Sequence, residues 1–144
     1  MEHVLLGSDH AGFGLKELIK QKLNSQGYQV IDVGCFSEES CDYPLFAIDL
    51  CKRIQKGDAR NGILVCGTGI GMSMAANRMK GIRAALCANE YQARMSRAHN
   101  DSNVLCLGSR VIGQDLAFSI LDVWLNTEFE GGRHKRRVDL IESI

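Results

Sequence analysis

The sequence is poor in the features that would place it in a membrane, in a secretory class or on nucleic acid. No segment approaches the roughly 18 consecutive apolar residues that a membrane span needs, and the amino terminus has no signal-peptide profile. Lysine plus arginine equals aspartate plus glutamate, 17 each, so no net charge attracts the chain to nucleic acid or to a membrane. We therefore expect a cytoplasmic protein with neither partner.

Motifs for disulfides, metals and nicotinamide cofactors are also missing. The six cysteines form no C-x-x-C pair and mostly lie in apolar runs, which favours reduced, buried thiols. No set of histidines and carboxylates has metal-ligand spacing, and there is no H-E-x-x-H motif or P-loop lysine. The segment 7–12 places charge where a dinucleotide-binding loop presents bare backbone. We expect chemistry that uses no metal and no cofactor.

Short apolar runs alternate with helical patterns along the 144 residues. The five runs are Val4–Leu6, Val30–Val33, Ile63–Val65, Ala84–Cys87 and Val104–Leu107. This alternation predicts βαβ units, and hence one α/β domain over residues 1–144 with a five-stranded parallel sheet.

The helical patterns can be placed from apolar spacing and from turn residues. Apolar residues at helical spacing predict one buried face at Leu15, Leu18, Ile19 and Leu23, and another at Ala117, Ile120, Leu121 and Trp124. The only proline, Pro44, suits the first turn of a helix that runs to about Gln55.

The most informative segment is Cys66-Gly67-Thr68-Gly69-Ile70-Gly71, here called the glycine loop, which directly follows an apolar strand. Alternating glycines before a helix present backbone N–H groups to an anion, although the same spacing also permits simple close packing. Cys66 itself has two interpretations, a small buried hydrophobe or a thiol activated at a helix amino terminus.

Ligands of open parallel sheets bind beyond the carboxyl ends of the strands. That rule selects Asp9 and His10 after the first strand, the glycine loop after the third and Arg110 after the fifth, with Tyr43 at the border. His10 could equally be an exposed turn residue beside a capping aspartate.

Two further features lie near the ends of helices. His99 closes a polar helix, where by itself it indicates a favourable cation at a helix carboxyl terminus. The run Arg133–Arg137 is either a solvated basic tail or an anion site. Arg133 and Arg137 lie four residues apart and share a helix face, so together they could clamp a phosphate.

Six ordered motifs resemble the family of type B ribose-5-phosphate isomerases and galactose-6-phosphate isomerase subunits. They are the segments 7–12, 42–44, 66–71, 96–101, 108–110 and 130–134. The resemblance implies a Rossmann-like three-layer αβα sandwich that forms a homodimer or homotetramer with active sites shared between chains. It also implies interconversion of ribose 5-phosphate and ribulose 5-phosphate in the non-oxidative pentose phosphate pathway.

The same resemblance implies a role for each site residue. Cys66 would be the base, His99 the acid that opens the sugar ring, and Thr68 an aid to proton transfer. The amides of Gly67, Gly69, Ile70 and Gly71 would hold the enediolate oxygens. Asp9, His10 and Tyr43 would line the sugar site, Asn100 would reach it from the neighbouring chain, and Arg110, Arg133, His134 and Arg137 would surround the phosphate. One branch of the family places a glutamate where this chain has Met72, which leaves Cys66 as the candidate base.

Two alternatives remain open. The chain could be a subunit of a galactose-6-phosphate isomerase that needs a different partner chain. It could also be a non-catalytic phosphate-binding or thiol redox module.

Overall fold

A computed structural model describes residues 2–144, and Met1, the first residue of the predicted domain, lies outside the described residues. Strands and helices alternate as predicted. In chain order the elements are β1 His3–Ser8, α1 Phe13–Ser25, β2 Gln29–Gly34, α2 Tyr43–Lys56, β3 Asn61–Cys66, α3 Ile70–Ala76, β4 Ala84–Leu86, α4 Glu90–Ala98, β5 Val104–Gly108, α5 Gln114–Asn126 and α6 Arg133–Glu142.

The five strands form one parallel sheet in the order β2-β1-β3-β5-β4. The chain moves outward from β1 to β2 and then crosses back to β3, so the direction of the connections reverses between β1 and β3. The carboxyl ends of these two central strands therefore border the crevice where such sheets bind ligands.

Side chains of the sheet alternate between two separate cores. Val65 and Leu105 point to one face and pack against α1, α4 and α5, whereas Leu64 and Cys106 point to the other face and pack against α2 and α3. Helices thus cover both faces, and the prediction of a three-layer αβα sandwich is confirmed.

The α2 helix begins and ends for the reasons that the sequence indicates. Pro44 occupies its first turn, where a missing N–H group costs nothing. Gly57 follows the helix at a φ of 89°, a left-handed conformation that glycine adopts without strain. The helix ends at Lys56, one residue after the predicted end.

The buried face of α1 differs from the predicted one. Ile19 and Leu23 are fully buried and Leu15 packs against the core, but Leu18 is only half-buried and lies outside both cores. Lys16 is fully buried instead, because Asp32 accepts a hydrogen bond from its ammonium at 2.6 Å. A buried ion pair therefore occupies a place that the apolar pattern could not predict.

The α6 helix has few contacts with the rest of the chain. Its buried residues are His134 and Val138, while Leu140 and Ile141 are about half exposed or more. Within residues 2–144, no helix combines the length and apolarity that crossing a bilayer requires.

Candidate active site

The Cys66 thiol lies at the carboxyl end of β3, where the chain turns into the glycine loop. Its side chain is buried, and its sulfur accepts a hydrogen bond from the Gly69 amide at 3.1 Å. Gly69 has a φ of 79°, a conformation that brings its N–H group back toward the strand end. An amide donor at this position orients the sulfur and can stabilise negative charge on it.

The rest of the glycine loop is exposed enough to meet a ligand. Thr68 and Ile70 are exposed, and the Thr68 hydroxyl accepts a hydrogen bond from the Ile70 amide at 3.2 Å. Met72, directly after the loop, is fully buried in the core and cannot act on a substrate. The observation agrees with Cys66 as the candidate base.

Two predicted substrate contacts lie directly on this loop. A Cβ atom at Gly71 would come within 2.5 Å of the Tyr43 ring, and one at Gly67 would come within 3.4 Å of the Arg110 guanidinium. The glycines therefore let an aromatic ring and a positive charge approach the backbone of the loop that follows Cys66. Arg110 is exposed and makes no ion pair within the described part of the chain.

Asp9 and His10 lie at the same edge, after β1, and each accepts a hydrogen bond from a backbone amide of this chain. The Asp9 carboxylate accepts a hydrogen bond from the Gly12 amide at 3.0 Å, as the sequence predicts for a capping aspartate. The Cys41 amide donates to Nδ1 of His10 at 3.2 Å, so a neutral His10 carries its proton on Nε2. Cys41 is a site neighbour that the sequence did not reveal, since 31 residues separate it from His10.

The remaining predicted residues lie beyond the amino-terminal ends of the strands, here called the amino edge, whereas Cys66 lies at the carboxyl-terminal ends, here called the carboxyl edge. α4 runs back from the carboxyl end of β4, so its last residues and His99 come to the amino edge, where Arg97 donates to Asn61 at the start of β3. β3 has six residues, which separates this edge from Cys66 by about 16 Å at about 3.3 Å per residue. Within a single chain, the predicted site residues therefore fall into two separate groups.

The first group, at the carboxyl edge, holds Asp9, His10, Tyr43, Cys66 to Gly71 and Arg110. The second, at the amino edge, holds His99, Asn100, Arg133, His134 and Arg137. In the second group Arg133 and Arg137 are exposed and have no ion-pair partner among residues 2–144, whereas Lys135 pairs with Asp139 at 2.8 Å. Both arginines are thus available to an anion.

The second group contains a cluster of His99, Glu130 and His134, here called the histidine cluster. The two imidazole rings stack with centroids 4.1 Å apart and planes 10° from parallel. Oε1 of Glu130 lies 3.5 Å from Nε2 of His134 and 3.8 Å from Nε2 of His99. The spacing of Glu130 and His134 is visible in the sequence, but their approach to His99 is not.

The sequence shows no histidines and carboxylates at metal-ligand spacing, but the fold brings two histidines and a carboxylate together in this cluster. Their candidate ligand atoms all lie within 4.8 Å of one another. Metal coordination, however, requires imidazole lone pairs that converge on one point within their ring planes. The planes of two nearly parallel rings do not meet, so the observed arrangement is not a coordination geometry.

Charge and burial act together on His134. Desolvation lowers its pKa, the neighbouring His99, Arg133 and Arg137 lower it further, and Glu130 opposes them. The surroundings of His134 therefore favour its neutral form.

A cleft of about 740 Å³ lies at the amino edge and not at the glycine loop. Two of the three arginines that line it already have partners in the same chain. Arg83 binds Glu142 at 2.6 Å, and Arg97 donates to the carbonyl of Ser102 at 2.6 Å. We therefore assign this cleft a structural role and keep the glycine loop as the centre of the site.

Comparisons with known proteins agree with this geometry. The sequence model of the Ribose/Galactose Isomerase family matches residues 4–141. Ribose-5-phosphate isomerase B of Escherichia coli is 48% identical over 144 residues, which covers 100% of this chain and 97% of that protein.

Solved structures are equally similar. The ribose-5-phosphate isomerase B of Clostridium thermocellum has a TM-score of 0.97 at 51% identity, over 98% of this chain and 95% of that one. The Thermotoga maritima enzyme has a TM-score of 0.97 at 50% identity, over 99% of each chain. The matched residues include both groups of the divided site.

Proposed function

Because this chain belongs to the ribose/galactose isomerase family, we propose that it interconverts D-ribose 5-phosphate and D-ribulose 5-phosphate, a step of the non-oxidative pentose phosphate pathway. Full-length relatives named ribose-5-phosphate isomerase B support this substrate. The observation that carries the proposal is the Cys66 sulfur, held by an amide of the glycine loop that Tyr43 and Arg110 also approach.

The reaction needs a base next to the sugar carbonyl. In the proposed mechanism the Cys66 thiolate removes the proton from the carbon beside the carbonyl, which forms an S–H bond and an enediolate. The same proton then returns to the neighbouring carbon and completes the shift from aldose to ketose. A positioned base contributes about 10²–10⁴ in rate.

The glycine loop supplies donors where the negative charge develops. Amides of Gly67, Gly69, Ile70 and Gly71 would bind the enediolate oxygens, and the Thr68 hydroxyl would pass protons between them. Losing one such donor typically costs about 10²–10³ in turnover. Asp9, His10 and Tyr43 would orient the sugar from the edge of the crevice.

His99 would protonate the ring oxygen and open the sugar ring before proton abstraction begins. Arg110, Arg133 and Arg137 would bind the phosphate, with His134 and Asn100 beside them. Among residues 2–144 these arginines have no ion-pair partner, which supports that role. Phosphate binding far from the reacting carbons holds the substrate in place for the base.

We further propose a homodimer, alone or paired into a tetramer, in which each active site combines residues from two chains. The division of the site between two sheet edges supports this assembly, since one chain cannot bring His99 to Cys66. A two-fold axis that apposes the carboxyl edge of one copy to the amino edge of the other would complete two equivalent sites.

The same proposal treats residues 1–144 as one domain, since a single sheet with two cores accounts for the described chain. It places the reaction in the cytoplasm, which the six free cysteines support.

A coupled assay of the purified chain against ribose 5-phosphate, allose 6-phosphate and galactose 6-phosphate tests this function. We expect turnover of ribose 5-phosphate by the chain alone, and unchanged turnover after treatment with a chelator. Activity that appears only with a different partner chain would identify a galactose-6-phosphate isomerase subunit. No turnover of any sugar phosphate would favour a binding or redox module.

A further inference from the structure

His134 occupies an inner position in the histidine cluster. Its side chain is 10% exposed and that of His99 is 40% exposed, so His134 forms the floor on which the His99 ring lies. The rings overlap in a parallel stack rather than meeting edge to face. Such a position gives His134 contact with His99 and little open surface of its own for a substrate.

Backbone hydrogen bonds hold the two rings in register. The Glu130 amide donates to the carbonyl of Ala98 at 3.0 Å, which ties the segment before α6 to the end of α4. The His134 amide donates to the carbonyl of Gly131 at 3.0 Å, so the first turn of α6 is closed directly beneath His99. His99, the residue that follows α4, therefore lies against a surface that belongs to α6.

The surroundings of His134 favour the uncharged form of its ring. Desolvation and the nearby His99, Arg133 and Arg137 lower its pKa, against the single carboxylate of Glu130. The stack therefore places a ring that disfavours charge directly against His99.

We infer that His134 is a positioning residue for His99: its flat ring orients the acid that opens the sugar ring. The inference rests on the proposed function. It gives His134 a task different from the phosphate contact expected from the sequence, and the two tasks have different kinetic consequences. A phosphate contact acts on substrate binding, whereas a platform for the acid acts on turnover.

The test compares His134→Ala, His134→Phe, His99→Ala and the double variant in the full-length protein, with Lys135→Ala as the exposed control on α6. We expect His134→Ala to lower kcat for ribose 5-phosphate about tenfold with KM changed less than about twofold, a fraction of the roughly 10²–10⁴ that a general acid contributes. His134→Phe restores a flat aromatic floor, so we expect its kcat within about threefold of the wild type.

The double variant separates the two roles. If His134 acts through His99, removing it from a chain that already lacks His99 has no further effect on kcat. Losses that multiply, or a KM that rises about tenfold in His134→Ala with kcat retained, would overturn the inference in favour of phosphate binding. The Phe variant keeps the test valid if the Ala variant unfolds, since a Phe variant as slow as His99→Ala would also overturn it.

Exchange with solvent keeps this inference separate from the proposed function. Ribulose 5-phosphate has no ring to open, so Cys66 can exchange its carbon-bound proton for deuterium without His99. We expect His134→Ala to exchange deuterium into ribulose 5-phosphate at the wild-type rate, although its kcat for ribose 5-phosphate falls about tenfold. A wild-type chain that neither exchanges nor turns over would overturn both proposals, whereas an active wild type with equally active His134→Ala would overturn this one alone.

Discussion

The environment of Cys66 separates it from the other cysteines of the chain. Burial raises the pKa of Cys51 to about 12 and that of Cys87 to about 11, so those thiols remain protonated and inert at neutral pH. The Cys66 sulfur instead accepts an amide hydrogen bond at the start of an exposed loop. Position at the strand end, more than residue type, supports the proposal that Cys66 is the base.

Replacing Cys66 tests this distinction. We expect Cys66→Ala to lower kcat by about 10²–10⁴ while KM for ribose 5-phosphate stays within about threefold, because the thiol removes a proton and contributes little to binding. Steady-state kinetics measure both constants. Cys51→Ala removes a thiol from the same core and should retain turnover. Near-normal turnover in Cys66→Ala would rule out Cys66 as the base.

The two arginines of α6 are expected to act on binding. Arg137→Ala should raise KM for ribose 5-phosphate about 10- to 100-fold, since hydrogen bonds to charged groups contribute about 1.5–3 kcal/mol. Arg136→Ala removes the same charge from the adjacent residue and should change KM little. Equal KM values for the two variants would contradict the phosphate clamp.

At the scale of an element, the turn between β1 and α1 depends on close backbone approach. A Cβ atom at Gly12 would lie 2.3 Å from the carbonyl oxygen of Val65, in the strand that ends at Cys66. The same turn carries Asp9 and His10. Packing between two strand ends thus sets the geometry of the crevice.

A pair of glycine substitutions isolates that packing. Gly12→Ala should destabilise the protein by several kcal/mol and reduce activity, because neither backbone can move away freely. Gly14→Ala, two residues later on the exposed face of α1 with nothing within 4 Å of its Cβ, should be neutral or stabilise by up to about 1 kcal/mol. Urea unfolding of both variants measures the difference, and similar losses would show that close approach is not the cause.

The α1 helix is tied to β2 through the ion pair of Lys16 and Asp32. Burial opposes ionisation of Asp32, but hydrogen bonds from Lys16, Lys20 and the Gly34 amide lower its pKa below the ordinary value. Lys16 also lies between the rings of Phe13 and Phe36, 5.3 and 5.1 Å from their centroids. The ammonium is therefore held by charge and by aromatic faces together.

The pH dependence of stability follows from this pair. Because the folded-state pKa of Asp32 is lowered, its contribution is complete above the unfolded pKa of about 3.9 and is lost as pH falls through the folded value. Asp32→Asn should cost about 3 kcal/mol at pH 7, since it removes the nearer carboxylate of a buried ammonium and leaves only Glu17, at 3.1 Å, to pair with it. Urea unfolding at pH 7 and pH 3 should show a difference that shrinks in acid, and a constant difference would contradict the assignment.

At the scale of the whole molecule, the proposed function depends on assembly because the predicted site is divided. Each chain carries the proposed base at one edge and the proposed acid at the other, with a six-residue strand between them. Exposed apolar residues on α6, Leu140 and Ile141, are consistent with a helix that packs against a second copy.

Complementation between inactive chains tests the shared site. Cys66→Ala and His99→Ala chains should each be inactive, but mixed dimers contain one site with an intact Cys66 and an intact His99. Random exchange should therefore restore about one quarter of wild-type activity, since half of the dimers are mixed and half of their sites are whole. Mixed chains that remain inactive after verified subunit exchange would show that each site lies within one chain.

The amino-acid sequence by itself determined the layers of the fold, because apolar periodicity and turn residues act over only a few positions. The five strands, the buried residues of α5 and the glycine loop were all predictable from such short-range patterns. The family motifs also predicted the residues of the site one by one.

Only the tertiary structure decided how those residues are grouped. The burial of Lys16 depends on Asp32, 16 residues away, and the stack of His99 on His134 joins the ends of two separate helices. The crossover helices return the chain to the amino edge of the sheet, which separates His99 from Cys66 although both belong to the same motif set. Contacts between distant residues follow from the path of the chain through space, and no local spacing encodes that path.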